Sequence, residues 1–85
     1  MSAAPTNGSI GSRARRLVLF DRARAALGGD ALAEALGTSR RMLTFKFAAE
    51  RPLHDHDLVG AAGALEARAA ELAKLAADLR GIVQA

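Results

Sequence analysis

A leucine recurs at every seventh position in the last third of this chain, at Leu58, Leu65, Leu72 and Leu79. A small or β-branched residue follows each leucine by four positions, at Ala62, Ala69, Ala76 and Val83. Apolar residues at this spacing are typical of a long helix that winds around another helix in a left-handed coiled coil. We therefore expect one long helix from roughly His54 to Val83, with this stripe as a dimer interface. Alanine opposite leucine allows close helix approach in either direction, so parallel and antiparallel pairing both remain open.

The composition predicts that the remainder of the chain is helical too. Hydrophobic residues make up 51% of the 85 residues, mostly as Ala and Leu, and aromatic residues only 4%. Ala and Leu favour helices, whereas the β-branched and aromatic residues that favour strands are scarce. The predicted fold class is all-α, with one domain of about four helices and a small core.

The same composition excludes several classes of protein. There is no cysteine, and therefore no disulfide framework and no thiolate zinc site. No apolar run approaches the roughly 20 residues that a membrane-spanning helix needs. No nucleophile–base arrangement, phosphate-binding glycine loop or carboxylate pair suggests catalysis. We expect a cytoplasmic protein that is not an enzyme, has no cofactor and does not associate with a membrane.

Glycine, serine and proline residues divide the chain into three parts. Residues 1–12 are expected to form a flexible tail, residues 13–53 a helix-turn-helix region, and residues 54–85 the long helix. A first helix is expected from about Ser12, a possible N-cap, to Leu27, where Gly28 and Gly29 stop it.

Two shorter helices are expected in the middle of the chain. The first runs from Asp30, a suitable N-cap, to Leu36, after which Gly37 permits the left-handed backbone of a tight turn. The second starts with Ser39 as its cap and ends before Pro52. Two short helices joined through a glycine in this way are typical of a helix-turn-helix unit. Small Ala33 would sit where the two helices approach most closely, with Leu32, Leu36 and Leu43 on their inner faces.

Formal charge changes sign along the chain. Residues 1–29 carry five arginines and one aspartate, hence +4; residues 30–53 carry four basic and three acidic residues, hence +1. Residues 54–85 carry three basic and five acidic residues, hence −2. An asymmetry of this kind often accompanies binding of a polyanion at one end of a protein.

The segment ALAEALGTSRRMLTFKF resembles the helix-turn-helix of bacterial DNA-binding regulators of the Fis type and of the Cro/repressor type. The segment ERPLHDHDLVGAAGALE resembles the loop and fourth helix of the Cro/repressor type more closely. The resemblance implies that the helix from Ser39 to Phe47 enters the DNA major groove. It also implies the residues that contact bases: Ser39, Arg40, Arg41, Thr44 and Phe45. An arginine at position 40 or 41 would bind the O6 and N7 atoms of guanine.

Other residues are predicted to contact phosphates: Arg13, Arg15, Arg16, Thr38, Lys46 and Arg51. For the three N-terminal arginines, the alternative is a solvated helix face that keeps an alanine-rich protein soluble. Phe45 departs from the polar residue that many relatives have there, and the slightly favoured alternative is that it belongs to the core. Phe47 is expected to be a core residue.

Two further features of the long helix have both structural and functional interpretations. His54-Asp55-His56-Asp57 resembles a metal site, but its histidines do not share a helix face. We expect Asp55 and Asp57 to cap the helix and to lie in its first turn. Gly60 and Gly63 cost helix stability. We expect them to permit close approach of a neighbouring helix, either the first or the third.

Together these observations predict a dimeric, sequence-specific DNA-binding regulator, a repressor that acts by occluding a palindromic operator. Its predicted partners are double-stranded DNA and a second copy of the chain, and its predicted location is the nucleoid. One alternative is a nucleoid-associated protein that bends DNA with little base recognition. The other is a protein-interaction module, such as a helical adaptor or an antitoxin-like protein, in which the long helix binds a protein partner.

Overall fold

A computed structural model describes residues 10–48 and 53–84. Four α-helices account for most of them: α1 (Ile10–Leu27), α2 (Gly29–Ala35), α3 (Arg40–Phe47) and α4 (Asp55–Gln84). Among the described residues there is no strand. The prediction of an all-α fold with a long C-terminal helix is therefore confirmed.

The start of α1 differs from the prediction. The helix already includes Ile10, so residues 10–12 do not belong to a tail and Ser12 is not the N-cap. Its C-terminal end agrees with the sequence, because Gly28 has a φ of 90° and its N–H donates to the carbonyl of Arg24 at 2.7 Å. This left-handed conformation is readily adopted by glycine and turns the chain into α2.

The turn between α2 and α3 is built as the sequence predicts. Gly37 has a φ of 65°, and the N–H of Thr38 donates to the carbonyl of Ala33 at 2.9 Å. Ser39 caps α3, because its Oγ accepts the N–H of Met42 at 3.1 Å. The expected cap of α2 is wrong: Gly28 occupies the N-cap position, and Asp30 lies in the first turn.

The core is small and lies where α1, α2, α3 and the first turns of α4 meet. Its buried members are Phe20, Ala23, Leu32, Ala33, Leu43 and Ala61. Phe20 is its largest side chain, and its ring centroid lies 5.1 Å from that of Phe47. Burial of a phenylalanine contributes about 1.5–3 kcal/mol, a large share for a domain of this size. The prediction for the inner leucines is confirmed, because Leu32 and Leu43 are buried and Leu36 packs against the core; Ala33 is buried with them.

The two glycines of α4 have different surroundings. A Cβ at Gly60 would lie 2.6 Å from Cδ2 of Leu36, so this glycine permits close approach of the end of α2. The predicted packing role is confirmed for Gly60, although the neighbour belongs to neither the first nor the third helix. A Cβ at Gly63 would meet no atom within 4 Å, and the packing role predicted there is wrong.

Candidate nucleic-acid interface

Helix α3 has an inner and an outer face. Leu43 is buried and Phe47 packs against the core, four residues apart on the inner face. The outer face carries Arg41, and Arg40 and Thr44 lie at the edge between the two faces; all three are exposed. The guanidinium groups of Arg40 and Arg41 therefore offer N–H donors to solvent or to a ligand, apart from the Nε–H of Arg40, which faces Asp30.

Weak local contacts position these outer side chains. The Nε atom of Arg40 lies 3.4 Å from Oδ1 of Asp30, with 71% of the arginine side chain and 83% of the aspartate side chain exposed. An exposed pair of this kind stabilises a protein by about 0–1 kcal/mol, so a stronger anionic ligand would displace it. Thr44 donates its hydroxyl to the carbonyl of Arg40 at 3.1 Å, which orients its side chain along the helix.

Phe45 is half-buried and lies outside the core cluster. The guanidinium carbon of Arg41 lies 5.8 Å from the centroid of its ring. The interpretation of Phe45 as a core residue is therefore wrong, whereas that of Phe47 is confirmed. An aromatic ring beside an exposed arginine extends the outer face of α3 with an apolar surface.

Lys46 points into the protein, contrary to its predicted role as a phosphate contact. Its Nζ donates to Oδ2 of Asp57 at 2.9 Å, and the two side chains are only 11% and 5% exposed. The same carboxylate oxygen accepts the N–H of His54 at 2.9 Å, so Asp57 caps α4 as expected. Burial raises the pKa of Asp57, but hydrogen bonds from Lys46 and from His54 outweigh it and hold the pKa below its ordinary value. Lys46 therefore joins α3 to α4, which corrects the prediction.

The N-terminal arginines divide into two groups. Arg13 and Arg15 are exposed on α1. Arg16 is 19% exposed and donates to Oδ1 of Asp55 at 2.7 Å and to the carbonyl of Leu53 at 3.3 Å. Arg16 therefore pairs within its own chain, and its predicted role as a phosphate contact is wrong, as it is for Lys46. Thr38 is half-buried in the turn, and Arg51 lies outside the described residues.

One basic residue beside α3, Arg24, is absent from the predicted site residues. The guanidinium carbon of Arg24 lies 4.6 Å from the ring centroid of Phe47, and its Nη2 donates to Oδ1 of Asp21 at 2.6 Å. Arg24 and Arg40 line a cleft of about 210 Å³ together with Gly29 and Thr44. No motif distinguishes Arg24 from other arginines of α1; only the crossing of α1 and α3 brings it to this cleft.

The segment His54-Asp55-His56-Asp57 leads into the first turn of α4. The rings of His54 and His56 stack with centroids 5.2 Å apart, and His56 lies 3.6 Å from the capping carboxylate of Asp57. In the described parts of the chain, no three or more metal-ligating residues lie close enough together to hold an ion.

The predicted dimer interface is divided between two environments. Leu58 and Leu65 are half-buried and pack against the core of their own chain. Ala76 is half-buried, and the remaining members are exposed: Ala62, Ala69, Leu72, Leu79 and Val83. One stripe of α4 therefore covers the domain with its first half and faces solvent with its second.

Within residues 10–48 and 53–84, no helix combines the length and the apolar character needed to cross a bilayer. No protein-family model, curated protein or solved structure matches the chain.

Proposed function

We propose that this chain is a sequence-specific DNA-binding regulator that inserts α3 into the major groove. The observation that carries the proposal is the two-sided character of α3, with Leu43 held in the core, Arg41 exposed on the opposite side, and Arg40 and Thr44 exposed at the edge between the two sides. A helix anchored in this way, and preceded by a short helix and a tight glycine turn, is the recognition unit of helix-turn-helix proteins. Arginine on the exposed face supplies the donors that bind guanine in the major groove.

The distribution of charge supports the orientation of this contact. Exposed arginines lie on α1 and α3, at Arg13, Arg15, Arg22, Arg24, Arg40 and Arg41. Helix α4 carries an excess of acidic residues, which would be repelled by phosphates. DNA approaching α3 would therefore meet the basic side chains of α3 and, beside them, Arg24 of α1.

Two copies would supply the affinity that one small module lacks. A single module buries roughly 600–1,000 Å² on DNA, and dimeric helix-turn-helix proteins bind half-sites roughly 34 Å apart. The proposed regulator is a dimer paired through the exposed part of α4, and its operator is palindromic. Occlusion of a promoter by such a dimer would make it a repressor.

The test is selection of bound duplexes from a random pool, followed by binding measurements with single variants. We expect the selected sequences to contain a palindrome. Arg41→Ala should lower the preference for the selected duplex over a scrambled one by about 5- to 150-fold, the equivalent of 1–3 kcal/mol. Lys74→Ala is the matched control, because it removes one exposed positive charge from α4.

Failure of this proposal would take one of two forms. If the protein bound no duplex at about 50 mM salt, DNA binding would be excluded. If it bound duplexes without preference and Arg41→Ala behaved like Lys74→Ala, the alternative of a DNA-bending, nucleoid-associated protein would replace base recognition.

The exposed half of α4 favours a second candidate function. Leu72, Leu75, Leu79, Ile82 and Val83 are between 51% and 85% exposed. Amphipathic helices with such a stripe bind apolar grooves on partner proteins. A chain that remained monomeric and ignored DNA would be such a protein-interaction module, with the helix-turn-helix as its scaffold.

A further inference from the structure

The second half of α4 is a helix without a covering surface. With 30 residues at 1.5 Å each, α4 is about 45 Å long, and only its first turns meet the core. From Glu66 to Gln84 every residue except Ala76 is exposed. Its large apolar side chains lie along one side at spacings of three and four: Leu72, Leu75, Leu79, Ile82 and Val83. A single helix of this length is marginally stable in water, and burial of its apolar side would stabilise it.

The alternation of leucine and alanine on this side favours one direction of pairing. In a parallel pair each leucine faces a leucine and each alanine an alanine, so wide layers would alternate with narrow ones. In an antiparallel pair Leu72 faces the partner's Ala76, Leu79 faces the partner's Ala69, and Leu65 faces the partner's Val83. Every layer then combines a large with a smaller side chain, and the helix separation is uniform along the pair.

Charge complementarity selects the same register independently. Glu66 and Arg80 flank the stripe on the same side, and the antiparallel register brings Glu66 beside the partner's Arg80. By two-fold symmetry the pair occurs twice. Both residues are exposed, and neither has an ion-pair partner in its own chain within the described residues. In a parallel pair they would stand about 21 Å apart along the axis and would not meet.

We propose that two copies of this chain pair as an antiparallel two-helix coil over residues 65–83 of α4, with Leu72 against the partner's Ala76 and Glu66 against the partner's Arg80. The proposal deepens the dimer of the proposed function and rests on that dimer, but not on DNA binding. The two domains then lie at opposite ends of the coil, with their Ala61 positions about 39 Å apart along its axis. A two-fold axis perpendicular to the coil would match the dyad of a palindromic operator, whose half-sites are roughly 34 Å apart.

Charge reversal tests the register. Glu66→Arg and Arg80→Glu should each weaken dimerisation by about tenfold in sedimentation equilibrium, because each creates two like-charged contacts per dimer. The double variant Glu66→Arg/Arg80→Glu should restore the dimer to near its original affinity. Glu71→Arg, on the same helix but outside the seam, is the matched control and should have little effect. The register would be wrong if the double variant dimerised as weakly as the single variants. It would also be wrong if the single variants dimerised as tightly as Glu71→Arg.

Cross-linking tests the direction, since the chain contains no cysteine of its own. The antiparallel coil brings the two copies of Ala73 together at its centre and holds the two copies of Val83 about 27 Å apart. A short thiol cross-linker should therefore join Ala73→Cys but not Val83→Cys. The reverse result would establish a parallel coil. A monomeric mass in sedimentation equilibrium would contradict the proposed dimer. Both measurements are made on the full chain without DNA, so a dimer with these properties that ignores DNA would contradict only the proposed function.

Discussion

The Nζ of Lys46 lies 2.9 Å from Oδ2 of Asp57, and this pair fastens the C-terminal turn of α3 to the first turn of α4. Both side chains are withdrawn from solvent, and Asp57 also accepts the N–H of His54. A buried charge that loses its partner strongly destabilises the folded protein. The pair therefore holds α3 in the orientation that exposes Arg41.

Asp57→Asn is expected to lower the free energy of unfolding by about 3–5 kcal/mol, because it leaves Lys46 buried and without its counter-charge. The total for a chain of this length is about 4–13 kcal/mol, so the variant should be largely unfolded at moderate urea. The control is the double variant Lys46→Met/Asp57→Leu, which removes both charges and should lie within about 2 kcal/mol of the original protein. Urea denaturation followed by circular dichroism measures both. Equal losses of unfolding free energy in the two variants would show that the unpaired charge of Lys46 is not what destabilises Asp57→Asn.

The same carboxylate predicts how stability depends on pH. The folded pKa of Asp57 lies below its unfolded value, so its contribution is present above pH of about 4 and is lost as pH falls through the folded pKa. The original protein should therefore lose stability relative to Lys46→Met/Asp57→Leu below about pH 4. Urea midpoints at pH 7, 4 and 3 measure this shift. A difference that did not change with pH would contradict the assignment.

Gly60→Ala and Gly63→Ala are a matched pair within one helix. Alanine at position 63 meets no neighbour and should stabilise the protein by about 0.5–1 kcal/mol through helix propensity. Alanine at position 60 must displace Leu36 and should be at least about 1 kcal/mol less stable than the variant at position 63. Thermal denaturation monitored by circular dichroism compares them. An equal gain at both positions would mean that the close approach of Leu36 has no cost.

The salt dependence of DNA binding should distinguish the role proposed for α1 from the role proposed for α3. Arg13 and Arg15 are exposed, and under the proposed function they contact phosphates, each contributing about 0.9 to the slope of log K against log salt. Arg13→Ala/Arg15→Ala should weaken binding to all duplexes alike and reduce the slope by about 1.8. Fluorescence anisotropy over a salt series measures the slope. If these changes altered sequence preference instead of the slope, the assignment of α1 to phosphates would be wrong.

Leu72→Arg and Leu65→Arg should have different consequences, although both leucines belong to the same stripe. Leu72 is 51% exposed, so arginine there should produce a folded monomer whose Tm no longer depends on concentration. Leu65 packs against the core, so arginine there should also unfold the domain. Sedimentation gives the mass, and circular dichroism gives the helical content. A dimer of unchanged mass with Leu72→Arg would rule out this stripe as the interface.

Much of the local structure could be predicted because local rules determine it. The glycine at position 37 has the left-handed φ that its turn requires, and Ser39 caps α3 through its own side chain. Such features depend on neighbours within four residues, which the sequence shows directly. Errors arose where two signals competed at a helix end, as at Asp30, which is a good cap but is the second residue of a helix that begins after Gly28.

The sequence by itself determined the all-α class, the helix-turn-helix spacing and the seven-residue stripe of α4, since backbone propensity and periodicity are local properties. Only the tertiary structure decided which basic residues are available. It withdrew Lys46 and Arg16 into ion pairs with Asp57 and Asp55, and it brought Arg24 beside α3. It also divided the stripe between the core and solvent. The physical reason is that exposure and ion pairing depend on how the helices cross, and residues distant along the chain determine that crossing.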